Sequence, residues 1–159
     1  MAYTAVDIVN KALMISDKIN NLYSNFDGCT KKYDSFKLTV LILLKQLQRD
    51  INYYNKLKEE IRNDIYEEMD FGTYDEISKQ INKFIYKINT SNCYCYKSIF
   101  KNHLYLNHSM YAVFIDAQGR IVKKENDSNS QSYKILSRII KNKLNNLNEL
   151  NYFYEKYIS

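Results

Sequence analysis

Two histidines, His103 and His108, and three cysteines, Cys29, Cys93 and Cys95, are the side chains of this 159-residue chain best suited to bind a metal or attack a carbonyl. The histidines are five apart on a segment of helical spacing. They therefore leave the helix on different faces and read as surface or boundary residues. Cys93 and Cys95 have one residue between them, which is neither the redox nor the zinc-knuckle spacing. On a helix they diverge; only on an extended loop do they face one ligand. Three cysteines so unevenly spaced make no disulfide framework and read as reduced thiols. Glu59-Glu60 and Asp75-Glu76 read as helix-surface acids. Gly72 and Gly119 stand alone and form no phosphate loop. No Ser-His-Asp or Cys-His arrangement stands out. The inventory leans away from an enzyme, with no catalytic residue and no cofactor to name.

The elements that would position any chemistry are helices. Proline is absent and glycine occurs 3 times, which favours long uninterrupted helices. Ala5, Ile8, Val9, Ala12, Ile15, Ile19, Leu22, Tyr23 and Phe26 trace a first stripe, stopped by Asp27-Gly28. A second helix, capped by Asp34 or Ser35, carries Val40, Leu43, Leu44, Leu47, Ile51, Tyr54, Leu57 and Ile61. Thr73 and Glu76 have the spacing of a capping box, and a shorter helix follows with Ile77, Ile81, Phe84, Ile85 and Ile88. Thr90-Ser91-Asn92 ends that helix or starts the next. Phe100, Leu104, Tyr111, Phe114 and Ile115 outline another, closing near Gly119. Residues 111–123 fit a hairpin as an alternative, but the stripe running through them favours helix. Asn126–Ser130 is a loop, and the last helix carries Leu136, Ile139, Ile140, Leu147, Leu150 and Tyr154. The whole reads as one all-α domain over 1–159, an antiparallel four-helix bundle with one short extra helix between its two helix pairs.

Composition excludes other classes. The apolar content of 45% and charged content of 26% are those of a globular chain. The net charge of +5 is spread among both signs. Lys31-Lys32, Lys123-Lys124 and Arg138–Lys143 are locally basic, yet a solvated helix face outweighs a nucleic-acid module. The apolar run Leu38–Leu44 is far shorter than the roughly 20 residues that span a bilayer. The N-terminus lacks the pattern of a signal peptide. The chain reads as soluble and cytoplasmic, without membrane contact. Its partner is unspecified, and a homodimer stays open. The 16 tyrosines belong to a general Asn, Tyr, Lys and Ile bias of the kind an AT-rich genome produces, and carry no weight alone.

The informative feature is polar residues on inward stripes near mid-helix. Ser16 precedes Ile19 by one turn, Asp50 sits between Leu47 and Tyr54, Asn107 interrupts Leu104 to Tyr111, and Lys143 with Asn146 interrupts Ile140 to Leu150. Buried polar groups need partners. Together with the helix pattern, the ending Leu150-Asn-Tyr-Phe-Tyr154, Gln48–Leu57 and Ile115–Arg120, these positions carry a resemblance over nearly the whole chain to the ferritin-like superfamily, nearest to rubrerythrin-type bundles.

That resemblance implies a site of two irons, held by a Glu from the first helix and a Glu-x-x-His from the second helix of each pair. By the same resemblance the first Glu falls on Ser16, the first Glu-x-x-His on Leu47 and Asp50, the second Glu on Asn107, and the last Glu-x-x-His on Lys143 and Asn146. Asp50 is the only anion left of six. One aspartate beside a lysine cannot neutralise two cations. The resemblance thus implies the fold with a degenerate metal site, and no metal ligand is assigned. The favoured function is a non-catalytic binding or interaction module. An altered metal or redox protein and a basic module for nucleic acid or another protein are the alternatives. Two arrangements of the charges stay open: Lys143 snorkels outward while Asp50 meets water, or the two pair inside.

Overall fold

Long apolar stripes and scarce helix breakers produce helices along almost the entire chain. The computed structural model describes residues 3–28, 34–62, 67–89, 93 and 95–159. Among these are five α-helices: α1 (Ala5–Ser24), α2 (Asp34–Arg62), α3 (Phe71–Lys87), α4 (Tyr96–Ile121) and α5 (Gln131–Tyr157). No strand occurs among the described residues beyond one isolated β-bridge between Tyr3 and Met69. Cys29, Lys31-Lys32 and Thr90–Asn92 lie outside the described residues.

Aromatic contacts sort the helix ends. Phe26 meets Phe36 at 5.5 Å, which brings the end of α1 to the start of α2. Phe100 stacks on Phe153 at 5.3 Å, which sets the start of α4 beside the end of α5. Lys18 Nζ donates to the Ile85 carbonyl at 2.6 Å, adding the end of α3 to this end of the molecule. At the opposite end Tyr3 stacks on Tyr74 at 3.9 Å, and Glu67 accepts from the Gln131 amide at 2.8 Å. One core joins the five helices.

The stretch 111–121 is helical, and Gly119 lies inside α4 rather than at a turn. Gln118 Nε2 donates to Ser137 Oγ at 2.6 Å and to the Tyr133 carbonyl at 3.2 Å, which ties this part of α4 to α5. The stripe itself is rotated from the expected one. Ile99, Phe100, His103, Leu106, Asn107, Met110 and Phe114 are buried, whereas Ile115 is exposed. A run of apolar residues around the helix allowed either choice. Asn126–Ser130 is not featureless: a 3-10 turn spans Glu125–Asn129.

The cap of α3 also differs from the expected Thr73–Glu76 box. Asp70 is the cap, and its Oδ2 accepts from the Thr73 amide at 2.9 Å and from Thr73 Oγ1 at 3.0 Å. A carboxylate is the better acceptor at the positive end of a helix dipole, and Thr73 then turns its hydroxyl into a donor. Asp70→Ala is therefore expected to lower the urea midpoint, while Glu76→Ala shifts it by much less. An equal effect of both would restore the Thr73–Glu76 box.

Candidate functional site

The six positions singled out by the resemblance are all buried: Ser16, Leu47, Asp50, Asn107, Lys143 and Asn146. Asp50 lies on the stripe of α2 that also presents Gln46 and Tyr54, each one turn away. Lys143 and Asn146 lie one turn apart on α5. Where these faces meet, Lys143 Nζ donates to Asp50 Oδ2 at 2.6 Å with the two side chains 1% and 4% exposed. The charges therefore pair inside; Lys143 does not snorkel.

Both carboxylate oxygens of Asp50 are occupied further. Asn146 Nδ2 donates to Oδ1 at 2.9 Å and lies 3.0 Å from Oδ2. Asn142 Nδ2 donates to Oδ1 at 3.1 Å and to the Tyr54 hydroxyl at 3.3 Å. The Lys143 ammonium also stands 5.7 Å from the centre of the Tyr54 ring, which adds a cation–π attraction. Burial pushes the Asp50 carboxyl up, but the Lys143 charge and the three donors outweigh it and hold the group below its ordinary value. Burial pulls Lys143 down and is likewise outweighed. Tyr54 and Asp50 act in that direction, and near neutral pH the charge that does so is Asp50, because burial keeps the Tyr54 phenol protonated.

The remaining positions are not joined to this pair. Leu47 packs in the core. Asn107 Nδ2 donates to the His103 carbonyl at 2.9 Å, one turn back on its own helix. Ser16 Oγ is buried without a hydrogen-bond partner among the described residues.

His103 corrects the expectation of a surface histidine. It is fully buried, and it links three helices: Nδ1 lies 3.0 Å from the Tyr23 hydroxyl of α1, and Nε2 lies 2.7 Å from Gln46 Oε1 of α2. An amide oxygen only accepts, so Nε2 carries the proton, and Tyr23 donates to Nδ1. Burial first, then the nearby Lys143 charge, depresses the imidazole from its ordinary 6.5 to about 3, against the pull of Asp50. His103 is thus neutral and feels the charge pair. Its signal in the sequence is position: it falls three residues after Phe100 and four before Asn107, on the inward stripe. His108 is exposed.

The two described cysteines differ in exposure. Cys93 is buried and Cys95 is exposed, where its Sγ accepts from the Ser98 amide at 3.4 Å as the cap of α4. Among the described residues no three His, Cys, Asp or Glu side chains are grouped so as to hold a metal ion, and no helix is long and apolar enough to cross a membrane.

Fold and site define an all-helical protein with a charge pair and a neutral histidine in its core. Comparison with protein-family models, with curated proteins and with solved structures found no match.

Two predictions follow from this geometry. Asp50→Leu or Lys143→Met alone leaves the other charge buried and is expected to cost about 3–5 kcal/mol, whereas the double replacement is near neutral or stabilising. Denaturant melting of the four proteins measures this, and small additive effects would mean that the pair is not buried. The second concerns pH. The folded histidine is depressed relative to the unfolded one, so its contribution is fully present above 6.5 and is lost as pH falls toward about 3. Stability should drop by about 2 kcal/mol from about pH 8 to about pH 5, and His103→Gln should abolish that drop. A drop that survives the substitution would place the titrating group elsewhere.

Proposed function

We propose that this chain is a ferritin-like antiparallel four-helix bundle, with α3 as the extra helix between its pairs, in which a charge pair stands where the family holds its di-iron site. On this reading it is not an enzyme but a binding or interaction module with a fixed interior. The single observation that supports it is the environment of Asp50. The one carboxylate at the six positions spends both oxygens on Lys143, Asn146 and Asn142. A cation would have to displace an ammonium already 2.6 Å away, and the other five positions offer it no anion.

The reading also accounts for polar residues that an apolar core would not need. An aspartate opposite a lysine leaves the interior neutral, as carboxylates opposite cations do in the metal-bearing family. Elemental analysis after expression in iron- and manganese-supplemented medium tests it. The expected result is metal well below one ion per chain. Two ions bound per chain, lost on Asp50→Ala, would overturn the proposal and favour an altered metal protein.

A further inference from the structure

The fold sorts charge in a way the linear sequence conceals. The end of α1, the start of α2, the end of α3, the start of α4 and the end of α5 lie at one end of the molecule. Dividing each helix at its midpoint assigns residues 15–26, 34–47, 80–89, 95–108 and 145–159 to that half. Among described side chains this half holds eight lysines against four acids, and the other half thirteen basic against twelve acidic residues. Most of the net positive charge therefore sits at one end. The Arg138–Lys143 stretch, basic in sequence, lies in the other half, where Arg138 pairs with Glu60 at 2.6 Å and Lys143 is buried against Asp50.

The aromatic surface is sorted the same way. Four tyrosines are exposed among the described residues, Tyr86 at 87%, Tyr105 at 68%, Tyr152 at 63% and Tyr157 at 59%, and all four lie in the basic half. Three neighbouring helices each contribute a lysine–tyrosine set at helical spacing: Lys83, Tyr86 and Lys87 on α3; Lys97, Lys101 and Tyr105 on α4; Tyr152, Lys156 and Tyr157 on α5. Members of a set three or four residues apart share a helix face, and Tyr157, five residues after Tyr152, joins its set through the Lys156 ammonium that stands near both rings. α4 packs against both α3 and α5, so the three sets belong to adjacent elements. Lys156 Nζ stands 5.6 Å and 5.3 Å from the Tyr152 and Tyr157 ring centres, with no acid paired to it among the described residues.

We propose that this end binds single-stranded nucleic acid, with the exposed tyrosines as stacking platforms for bases and the lysines of the same helices on the phosphates. Flat rings beside cations suit a ligand that alternates flat bases with negative charge. A duplex hides its base faces and offers the rings nothing to stack on. An acidic polypeptide satisfies the lysines but offers the four phenol rings no flat partner, and an anionic membrane surface is separated from a single strand by the competitors below. The proposal rests on the reading of the chain as a binding module and not on the fate of a metal site, so the metal analysis and the assay below fail separately.

The test is fluorescence anisotropy of the full chain with labelled oligothymidine and oligouridine of about 16 nucleotides, the upper site size of single-strand binders. A duplex of equal length, polyglutamate and phosphatidylserine vesicles serve as competitors. The expected result is binding to the single strands that weakens steeply with salt. Tyr105→Ala and Tyr152→Ala should each weaken it about fivefold or more, and Tyr105→Phe should restore it, since the ring does the stacking. Lys97→Glu with Lys101→Glu should weaken it and flatten the salt dependence. Lys134→Glu with Lys141→Glu, in the other half, should leave it unchanged. These side chains are exposed, so circular dichroism should report an unaltered helical fold. Binding to polyglutamate or vesicles but not to the single strands, tyrosine variants that bind as the parent does, or equal damage from the Lys134 and Lys141 pair would each overturn the proposal.

Discussion

The ion pair between Asp50 and Lys143 is the constraint on which the rest of the interior depends. Moving either charge out of water alone carries a penalty of several kcal/mol, so α2 and α5 are held to the register in which the two groups meet. Surface pairs lie on either side of that register. Arg49 meets Glu149 at 3.4 Å on one side, and Arg138 meets Glu60 at 2.6 Å on the other. Exposed pairs of this kind are worth little. They mark the alignment that the buried pair enforces.

The same constraint reaches α1 and α4 through polar side chains rather than through packing alone. Asp50 and Gln46 share a face of α2, and Gln46 accepts from His103, which accepts from Tyr23. Four helices are thus connected by groups whose donors and acceptors must match. The positive charge of Lys143 helps to keep His103 neutral, and a neutral imidazole is what the Tyr23–His103–Gln46 chain requires. A charged His103 would have two donors facing the Tyr23 hydroxyl and Gln46, and would lose Tyr23 as a donor. Electrostatics and hydrogen bonding therefore select the same state.

Much of this was legible in the residues. The helices follow from apolar spacing and the lack of breakers, and the polar interruptions at Ser16, Asp50, Asn107, Lys143 and Asn146 all prove buried. Three features were not legible, each for a physical reason. His103 was masked because α4 carries apolar residues around much of its circumference, so the stripe could be drawn through Leu104 and Ile115 as easily as through His103. The cap of α3 was ambiguous because Asp70 and Thr73 are both competent caps three residues apart. Only tertiary placement decides between them, since Thr73 is buried. The sorting of charge and exposed tyrosine to one end depends on which helix termini come together. A linear pattern shows Lys37, Lys87, Lys101 and Lys156 as scattered residues.

The central claim is that Asp50 is ionised in the core because Lys143 answers it. The most direct measurement is a carbon-13 NMR titration of the Asp50 carboxyl carbon in the folded protein. The account predicts that the carboxyl stays ionised as pH falls past 3.8, the ordinary aspartate value, and that in Lys143→Met it titrates well above that value, because burial then acts unopposed. An Asp50 that titrates at or above its ordinary value with Lys143 in place would contradict it.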